Sequence, residues 1–274
     1  MVLAYDDTGE RDLSPVVLLH GLSSARSTWR RLTTALGGRY RVLAFDDRGH
    51  GESAHAPGTY TLPYYTADAV AFVERVAGRP AVLVGHSLGG VIAACVARSR
   101  PDLTRGVLLE DPPLFVGTRE RDEANPFLVM FGLMRGVLTE MQARTATVEE
   151  YESLVRAAPS MNGRGSMAEV LGEDGVRAQA AAMARLDPEV LTPAIEGAAL
   201  DGADPEVPLG CPSLVLRADA SLGAAFAGED EAPFLTANPE AAVTEIDGAS
   251  HLIHDEQPER FLVEVEGFLK ELPE

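Results

Sequence analysis

Short apolar runs alternate with helical patterns over the first 110 residues of the chain. Runs such as Pro15–Leu19, bounded by turn residues, are typical of interior strands with both faces buried. We predict strands at Val2–Tyr5, Pro15–Leu19, Tyr40–Phe45, Ala81–Val84 and Arg105–Leu109. The segments between them carry helical spacing, with helices that begin at Thr28, as N-cap, and at Thr61. This alternation predicts right-handed crossovers and an α/β fold with a doubly wound, mostly parallel sheet.

The alternation stops at Asp111. From Leu114 to about Val207 the pattern is helical, and six of the seven methionines of the chain lie there. One helical face of this segment carries four large apolar side chains, Phe127, Met130, Phe131 and Met134. The later elements are predicted at Pro212–Arg217, Ala242–Ile246 and Gln257–Leu272. We therefore predict a core of residues 1–112 and 208–274, interrupted by a helical segment, residues 113–207. Methionine adapts to irregular contacts, so we interpret this segment as a lid over a binding cleft. The alternative is a loosely packed accessory core.

Composition narrows the class of protein. Apolar residues make up 46% of the chain and charged residues 24%, which is ordinary for a soluble globular protein. The net charge of −19 disfavours nucleic acid and anionic membranes as partners. The first ten residues lack the basic and apolar pattern of a secretory signal, and two cysteines suit a reducing compartment. We expect a cytoplasmic monomer or homodimer that acts on a small molecule.

Candidate chemistry centres on Ser87, in the stretch AVLVGHSLGG at residues 81–90. An apolar strand runs into a tight turn and then directly into an apolar helix, which is the context of a nucleophile elbow. A side chain at Gly85 or Gly89 would collide with the neighbouring strand or helix. The turn raises the Ser87 hydroxyl above the sheet and places the Leu88 amide at a helix N-terminus, which favours developing negative charge.

A serine hydroxyl needs a base, and the chain has six histidines. Four of them lie in glycine turns or loops of the first half of the chain, at His20, His50, His55 and His86. His251 follows the last predicted strand, so its loop reaches the carboxyl edge of the sheet beside the elbow. We choose His251 as the base, and we expect His254, at the start of the next helix, to face solvent.

The order Ser87, acid, His251 on such a sheet resembles the α/β-hydrolase superfamily over essentially the whole chain. The HGL sequence at residues 20–22 looks like its oxyanion loop, and DRGHGES at residues 47–53 is similar to the loop after the following strand. The resemblance implies an oxyanion hole formed by the Leu22 and Leu88 amides, and a helical cap at residues 113–207. We accordingly expect a substrate pocket lined by His20, Gly21, His86, Phe127, Met130, Phe131 and Met134.

The acid that orients His251 has two candidates. Many members of the superfamily carry it about nine residues after the proline that opens the PSLVLR-type strand, where this chain has Ser221. Asp219 lies two residues earlier and is our preferred acid. Asp111 follows the RGVLLE strand, where certain dehalogenases carry theirs, and it stays open as the alternative, with Glu110 third.

These residues predict a serine hydrolase that cleaves an ester or lactone with an apolar acyl or alcohol group. Ser87 does not match the aspartate nucleophile of dehalogenases and epoxide hydrolases. C–C bond hydrolysis or haloperoxidase-like perhydrolysis would use the same triad, and a non-catalytic ligand receptor would use the same fold. The chain carries no metal or nucleotide motif, so we expect no cofactor.

Overall fold

The computed structural model describes residues 1–118 and 125–273 and contains a seven-stranded sheet in the order β1-β3-β2-β4-β5-β6-β7. The strands are β1 Tyr5–Asp7, β2 Pro15–Leu19, β3 Arg41–Phe45, β4 Ala81–His86, β5 Thr104–Glu110, β6 Ser213–Ala218 and β7 Ala242–Ile246. Within the sheet that the described residues form, β1 pairs with β3 antiparallel and the other strand pairs are parallel. The predicted α/β fold with a mostly parallel sheet is confirmed.

Helices flank the sheet and fill the segment between β5 and β6. Those of the described residues are α1 Arg30–Leu36, α2 Leu62–Phe72, α3 Leu88–Ser99, α4 Pro126–Ala143, α5 Val148–Ala157, α6 Met167–Arg185, α7 Thr192–Glu196, α8 Gly228–Ala237, α9 Ile253–Glu256 and α10 Pro258–Glu271. Within residues 1–118 and 125–273, every helix is too short or too polar to span a bilayer.

The apolar core lies in two layers, one on each face of the sheet. Along β2, Val17 and Leu19 join the cluster that contains α2, α3 and the helices between β5 and β6. Val16 and Leu18 join the opposite cluster, with α1 and α10. All five residues of β2 are buried, which explains why its sequence is continuously apolar instead of alternating.

Two of the predicted strands have the predicted limits, and the other strands differ by one or more residues. Pro15–Leu19 and Ala242–Ile246 are strands with the predicted limits. The first strand lies at Tyr5–Asp7 instead of Val2–Tyr5, because an exposed edge strand tolerates polar residues and Asp7 pairs with Arg41 of β3.

Two helix predictions need correction. Thr28 is not an N-cap: it lies in a 3₁₀ turn, Arg26–Trp29, before α1, and its hydroxyl bonds the His254 ring. Helix α8 was not predicted, because its sequence, GEDEAPFLTA, contains an internal proline and only two buried residues.

The segment between Glu110 and Ser213 is helical in its described residues, with an isolated bridge between Pro159 and Ser166. Helices α5 and α6 pack against each other, and α6 is kinked at Gly172, which has a φ of 63°. The boundaries of the cap at residues 113 and 207 stay a prediction.

Candidate active site

Ser87 occupies the turn between β4 and α3, with a φ of 51° and a ψ of −119°. This left-handed conformation is unfavourable for a residue with a side chain and is found mainly at functional sites. A Cβ atom on Gly85 would overlap the Gly89 carbonyl, and one on Gly89 would overlap the Leu19 carbonyl. The predicted steric need for glycine on both sides of Ser87 is confirmed.

His251 is held by Asp111. The Nδ1 atom of His251 lies 2.6 Å from Oδ2 of Asp111, and the aspartate is completely buried. Asp111 also accepts hydrogen bonds from the backbone amides of Ala225 at 2.8 Å, Phe226 at 3.2 Å and Ala218 at 3.3 Å. These donors offset the cost of burying the carboxylate, which makes Asp111 a fixed acceptor for the histidine.

Asp219, the preferred acid, does not contact His251 through its carboxylate. Its Oδ1 accepts hydrogen bonds from the amide and hydroxyl of Ser221, and its Oδ2 accepts one from the Gly248 amide at 2.9 Å. These bonds lower the pKa of Asp219 and tie its partly exposed side chain into a local turn. The structure therefore replaces Asp219 with Asp111 as the partner of the histidine.

Sheet order brings the serine and the acid together. Strands β4 and β5 are parallel neighbours, so Ser87 and Asp111 each follow the carboxyl end of adjacent strands. The Ser87 amide donates to the Glu110 carbonyl at 2.9 Å, which fixes the elbow to the end of β5. Asp111 has a φ of 41°, so both residues leave the sheet in a left-handed conformation.

His254 was expected to face solvent, and this is wrong. It is 6% exposed and its Nδ1 lies 2.9 Å from both carboxylate oxygens of Glu110, the third-ranked acid. No single position in the sequence indicated this second pair. The available signal was the two consecutive acids at the end of β5 and the two histidines three residues apart after β7.

His86 is buried behind His251 instead of lining an open pocket. Its Nε2 donates to the His251 carbonyl at 2.9 Å, and the two rings lie 4.7 Å apart. Burial lowers the pKa of His86 to about 3, so the ring is neutral. A Cβ on Gly21 would lie 2.6 Å from the His86 Nδ1 and 3.2 Å from the Ser87 Cβ, which explains the glycine and places its loop against the serine.

The loop of residues 20–22 and the start of α3 frame the elbow. Leu88 is the first residue of α3, where backbone amides have no acceptor within the helix. Leu22 follows Gly21, which lies against Ser87. Leu88 thus follows the serine directly, Leu22 follows the glycine that lies against it, and the role of both amides stays a prediction.

His20 has a supporting position. It is completely buried, donates from Nδ1 to the Gly21 carbonyl at 2.8 Å and accepts at Nε2 from the Asp47 amide at 3.0 Å. Its ring packs on that of His50 at 4.9 Å. His20 therefore links the Gly21 loop to the loop after β3, and the expectation that it lines the pocket does not fit this burial.

Helix α4 brings apolar residues to the histidine. The ring of Phe127 meets that of His251 edge to face at 5.1 Å, and Phe131 lies 6.5 Å from Phe127. Met130 and Met134 of the same helix are half-buried, and Met134 packs with Phe131 on the core. Of the predicted pocket residues of helix α4, Phe127 is the one that the structure places against the candidate base. Among residues 1–118 and 125–273, no cluster of three or more histidine, cysteine or acidic side chains is arranged to bind a metal ion.

The sequence of the chain is similar to those of known hydrolases and haloperoxidases. A sequence model described as the alpha/beta hydrolase family matches residues 16–265. A non-heme chloroperoxidase from Burkholderia pyrrocinia is 34% identical over 139 residues, which is 48% of this chain and 50% of that protein. The chain thus spans about half the length of the curated chloroperoxidase that it matches.

Two solved structures resemble the whole fold. The enol-lactonase from Burkholderia xenovorans has a TM-score of 0.71 at 27% identity, covering 98% of this chain and 96% of that one. A thermophilic esterase from Thermogutta terrifontis has a TM-score of 0.69 at 26% identity, covering 98% and 93% respectively.

Proposed function

The chain belongs to the alpha/beta hydrolase family, and on that premise we propose that it is a serine hydrolase for esters or lactones of small, largely apolar substrates. The observation that supports this most directly is the buried bond between His251 and Asp111 beside the strained Ser87 elbow. A serine, an imidazole and a carboxylate in this order are the groups that acyl transfer requires.

The proposed mechanism starts from the tautomer of His251. Because Nδ1 faces the Asp111 carboxylate at 2.6 Å, it carries the proton and Nε2 is free to act as base. Nε2 takes the Ser87 proton as the serine oxygen attacks the carbonyl carbon. The Leu22 and Leu88 amides bind the oxyanion, a contribution on the order of 10²–10³ in rate. His251 then protonates the leaving alcohol, and a water molecule activated by the same ring hydrolyses the acyl-enzyme.

The apolar character of the substrate is inferred from helix α4. Phe127 packs against the His251 ring, and Phe131 and Met134 extend the apolar surface along the helix. An acyl or alcohol group beside the base would therefore meet aromatic and thioether side chains. The names of the similar structures, an enol-lactonase and an esterase, agree with this class of substrate.

Perhydrolysis is the second candidate. The similarity to a non-heme chloroperoxidase favours it, although that similarity covers half of each chain. In this reaction hydrogen peroxide, instead of water, attacks the acyl-enzyme, and the peroxy oxygen forms the new bond to the acyl carbon as serine leaves. Ester hydrolysis and peracid formation from hydrogen peroxide and a carboxylic acid would be measured on the same preparation to rank the two activities.

The direct experiment is hydrolysis of nitrophenyl acetate and butyrate by the wild type and by Ser87→Ala. We expect Ser87→Ala to lower kcat by at least about 10³-fold, because the acyl-enzyme cannot form. Equal rates for the two proteins would contradict the proposal and favour a non-catalytic ligand receptor. We also propose a cytoplasmic location, which the free thiols of Cys95 and Cys211 support. The expected monomer or homodimer stays a prediction.

A further inference from the structure

A second carboxylate–histidine pair lies directly behind the first. Glu110 is completely buried, and its Oε1 accepts hydrogen bonds from the backbone amide of His254 at 2.8 Å and from the ring Nδ1 at 2.9 Å. On its other side, the ring Nε2 of His254 lies 2.7 Å from the Thr28 hydroxyl and 3.4 Å from Oδ2 of Asp255. Each polar atom of the imidazole therefore has a buried partner.

The two pairs share their backbone. Glu110 and Asp111 are consecutive residues at the end of β5, and their partners His254 and His251 are three residues apart after β7. The ring of His86 lies between the pairs, 4.7 Å from His251 and 5.2 Å from His254. A movement of His254 relative to Glu110 would therefore displace the turn that carries His251.

The charge of His254 is set by its surroundings. Burial and, to a smaller extent, Arg30 lower the pKa of His254. Glu110 and Asp255 outweigh both effects and raise this pKa to about 9. Arg31, whose guanidinium lies 3.5 Å from the Asp255 carbonyl, and Glu259 of α10 line the cavity next to the ring. At neutral pH the ring is an imidazolium, so its charge cancels that of Glu110.

Among residues 1–118 and 125–273, few charged side chains lie near His251. Asp111 faces its Nδ1, and the neutral His86 and the aromatic Phe127 pack against its ring. Glu256 binds the amide and hydroxyl of the preceding Ser250, both at 2.7 Å. An unpaired charge on Glu110 would add a second buried carboxylate beside Asp111, where the low dielectric strengthens its effect.

We propose that Glu110 and His254 act as a positioning pair. Together they hold the turn that carries His251 against the end of β5, and the charge of His254 shields His251 from the Glu110 carboxylate. This inference rests on the proposed function of Ser87 and His251. Neither residue of the pair contacts the reacting atoms, so the pair acts through His251.

The test is the pH profile of nitrophenyl acetate hydrolysis by His254→Gln, by Glu110→Gln and by the double variant. Glutamine at position 254 keeps a donor for Glu110 but carries no charge. We expect the acidic limb of kcat/KM to move up by about one pH unit, because the uncompensated Glu110 favours protonated His251. We expect kcat on the plateau to fall about tenfold with KM within about threefold of wild type, since small displacements of the base act on the chemical step.

Glu110→Gln keeps an acceptor for the His254 amide but removes the main group that raises the pKa of His254, so burial favours the neutral ring. Because neither the Glu110 charge nor the His254 charge then remains, its acidic limb should stay within about 0.3 pH units of wild type. The double variant removes both charges and should return the limb to within about 0.3 pH units of wild type, while kcat stays reduced. A shift in His254→Gln that the second substitution, Glu110→Gln, removes is not expected from a general loss of packing.

Asp7→Asn is the control, because it breaks a partly buried pair, with Arg41, at the opposite end of the sheet. Circular dichroism and thermal melting of every variant establish that it is folded. If the limb of His254→Gln does not move and the kcat loss of both single variants equals that of Asp7→Asn, the pair is only structural and the inference is overturned. If wild-type hydrolysis is insensitive to Ser87→Ala, the proposed function itself fails, which is a separate outcome.

Discussion

Two consecutive aspartates after β3 show how strongly the local environment affects the pKa of a buried carboxylate. Asp46 is buried, and its carboxylate accepts hydrogen bonds from the amides of Arg26 at 2.7 Å and Glu52 at 2.9 Å, as well as from the Arg26 guanidinium. Asp47 is equally buried, but within the described residues neither of its carboxylate oxygens has a hydrogen-bond partner. Burial raises the pKa of Asp47 to about 6, although its closest histidine, His20, lies 3.9 Å away.

The sign of the resulting pH dependence follows from that direction. The folded protein binds the Asp47 proton more tightly than the unfolded chain, so stability falls as pH rises from about 4 to about 6. Above that range the buried, ionised Asp47 lowers the free energy of unfolding by its full amount, on the order of 3 kcal/mol.

We therefore predict that Asp47→Asn increases the free energy of unfolding, with a gain about 1–2 kcal/mol larger at pH 8 than at pH 5. Urea denaturation at both pH values measures this difference. Asp46→Asn is the control and should destabilise the protein at both pH values, because it weakens bonds that the carboxylate makes. A gain for Asp47→Asn that is the same at pH 5 and pH 8 would disprove the account of this residue.

At the scale of elements, the elbow depends on two close backbone contacts. Strand β4 and helix α3 meet at Gly85 and Gly89, and α3 lies against the end of β2 at the Leu19 carbonyl. Because the atoms that a new Cβ would strike belong to the backbone, no side-chain rotation can relieve the overlap. This explains why the strand, the glycine turn and the helix can be identified together from the sequence.

Gly89→Ala should destabilise the protein by at least about 3 kcal/mol, since the core must shift to admit one methyl group. Gly132→Ala, in the exposed middle of α4, is the matched control, because a Cβ there meets nothing within 4 Å. It should stabilise the protein by about 0.5–1 kcal/mol through helix propensity. Thermal melting of the two variants measures these opposite effects, and a Gly89→Ala protein as stable as wild type would refute the steric argument.

At the scale of the whole molecule, sheet order determines which strand ends can form a site. The sequence was sufficient to predict the parallel sheet and the elbow, because each depends on a local pattern. It also placed His251 directly after the last strand, where the structure has it, and its role as base stays a prediction. It was not sufficient to choose the acid, since Asp111 and Asp219 follow the neighbouring strands β5 and β6. The choice depends on the fold of residues 220–226, whose amides bind Asp111.

Long-range packing also explains why the prediction that His254 faces solvent was wrong. Its position at the start of a short helix indicated an exposed residue, whereas the 3₁₀ turn before α1 covers it through Trp29, at 4.7 Å, and α10 covers it through Phe261, at 5.9 Å. Packing between elements far apart in the chain is not visible in local spacing.

The central claim is that Asp111, and not Asp219, orients the base for hydrolysis at Ser87. The measurement that tests it most directly is kcat/KM for nitrophenyl acetate hydrolysis by Asp111→Asn and Asp219→Asn, two variants with the same chemical change on neighbouring strands. We predict that Asp111→Asn lowers the rate by about 10³–10⁴-fold, because the tautomer of His251 is no longer fixed, and that Asp219→Asn stays within about threefold of wild type. A folded Asp219→Asn protein that loses its activity while Asp111→Asn keeps it would contradict the claim.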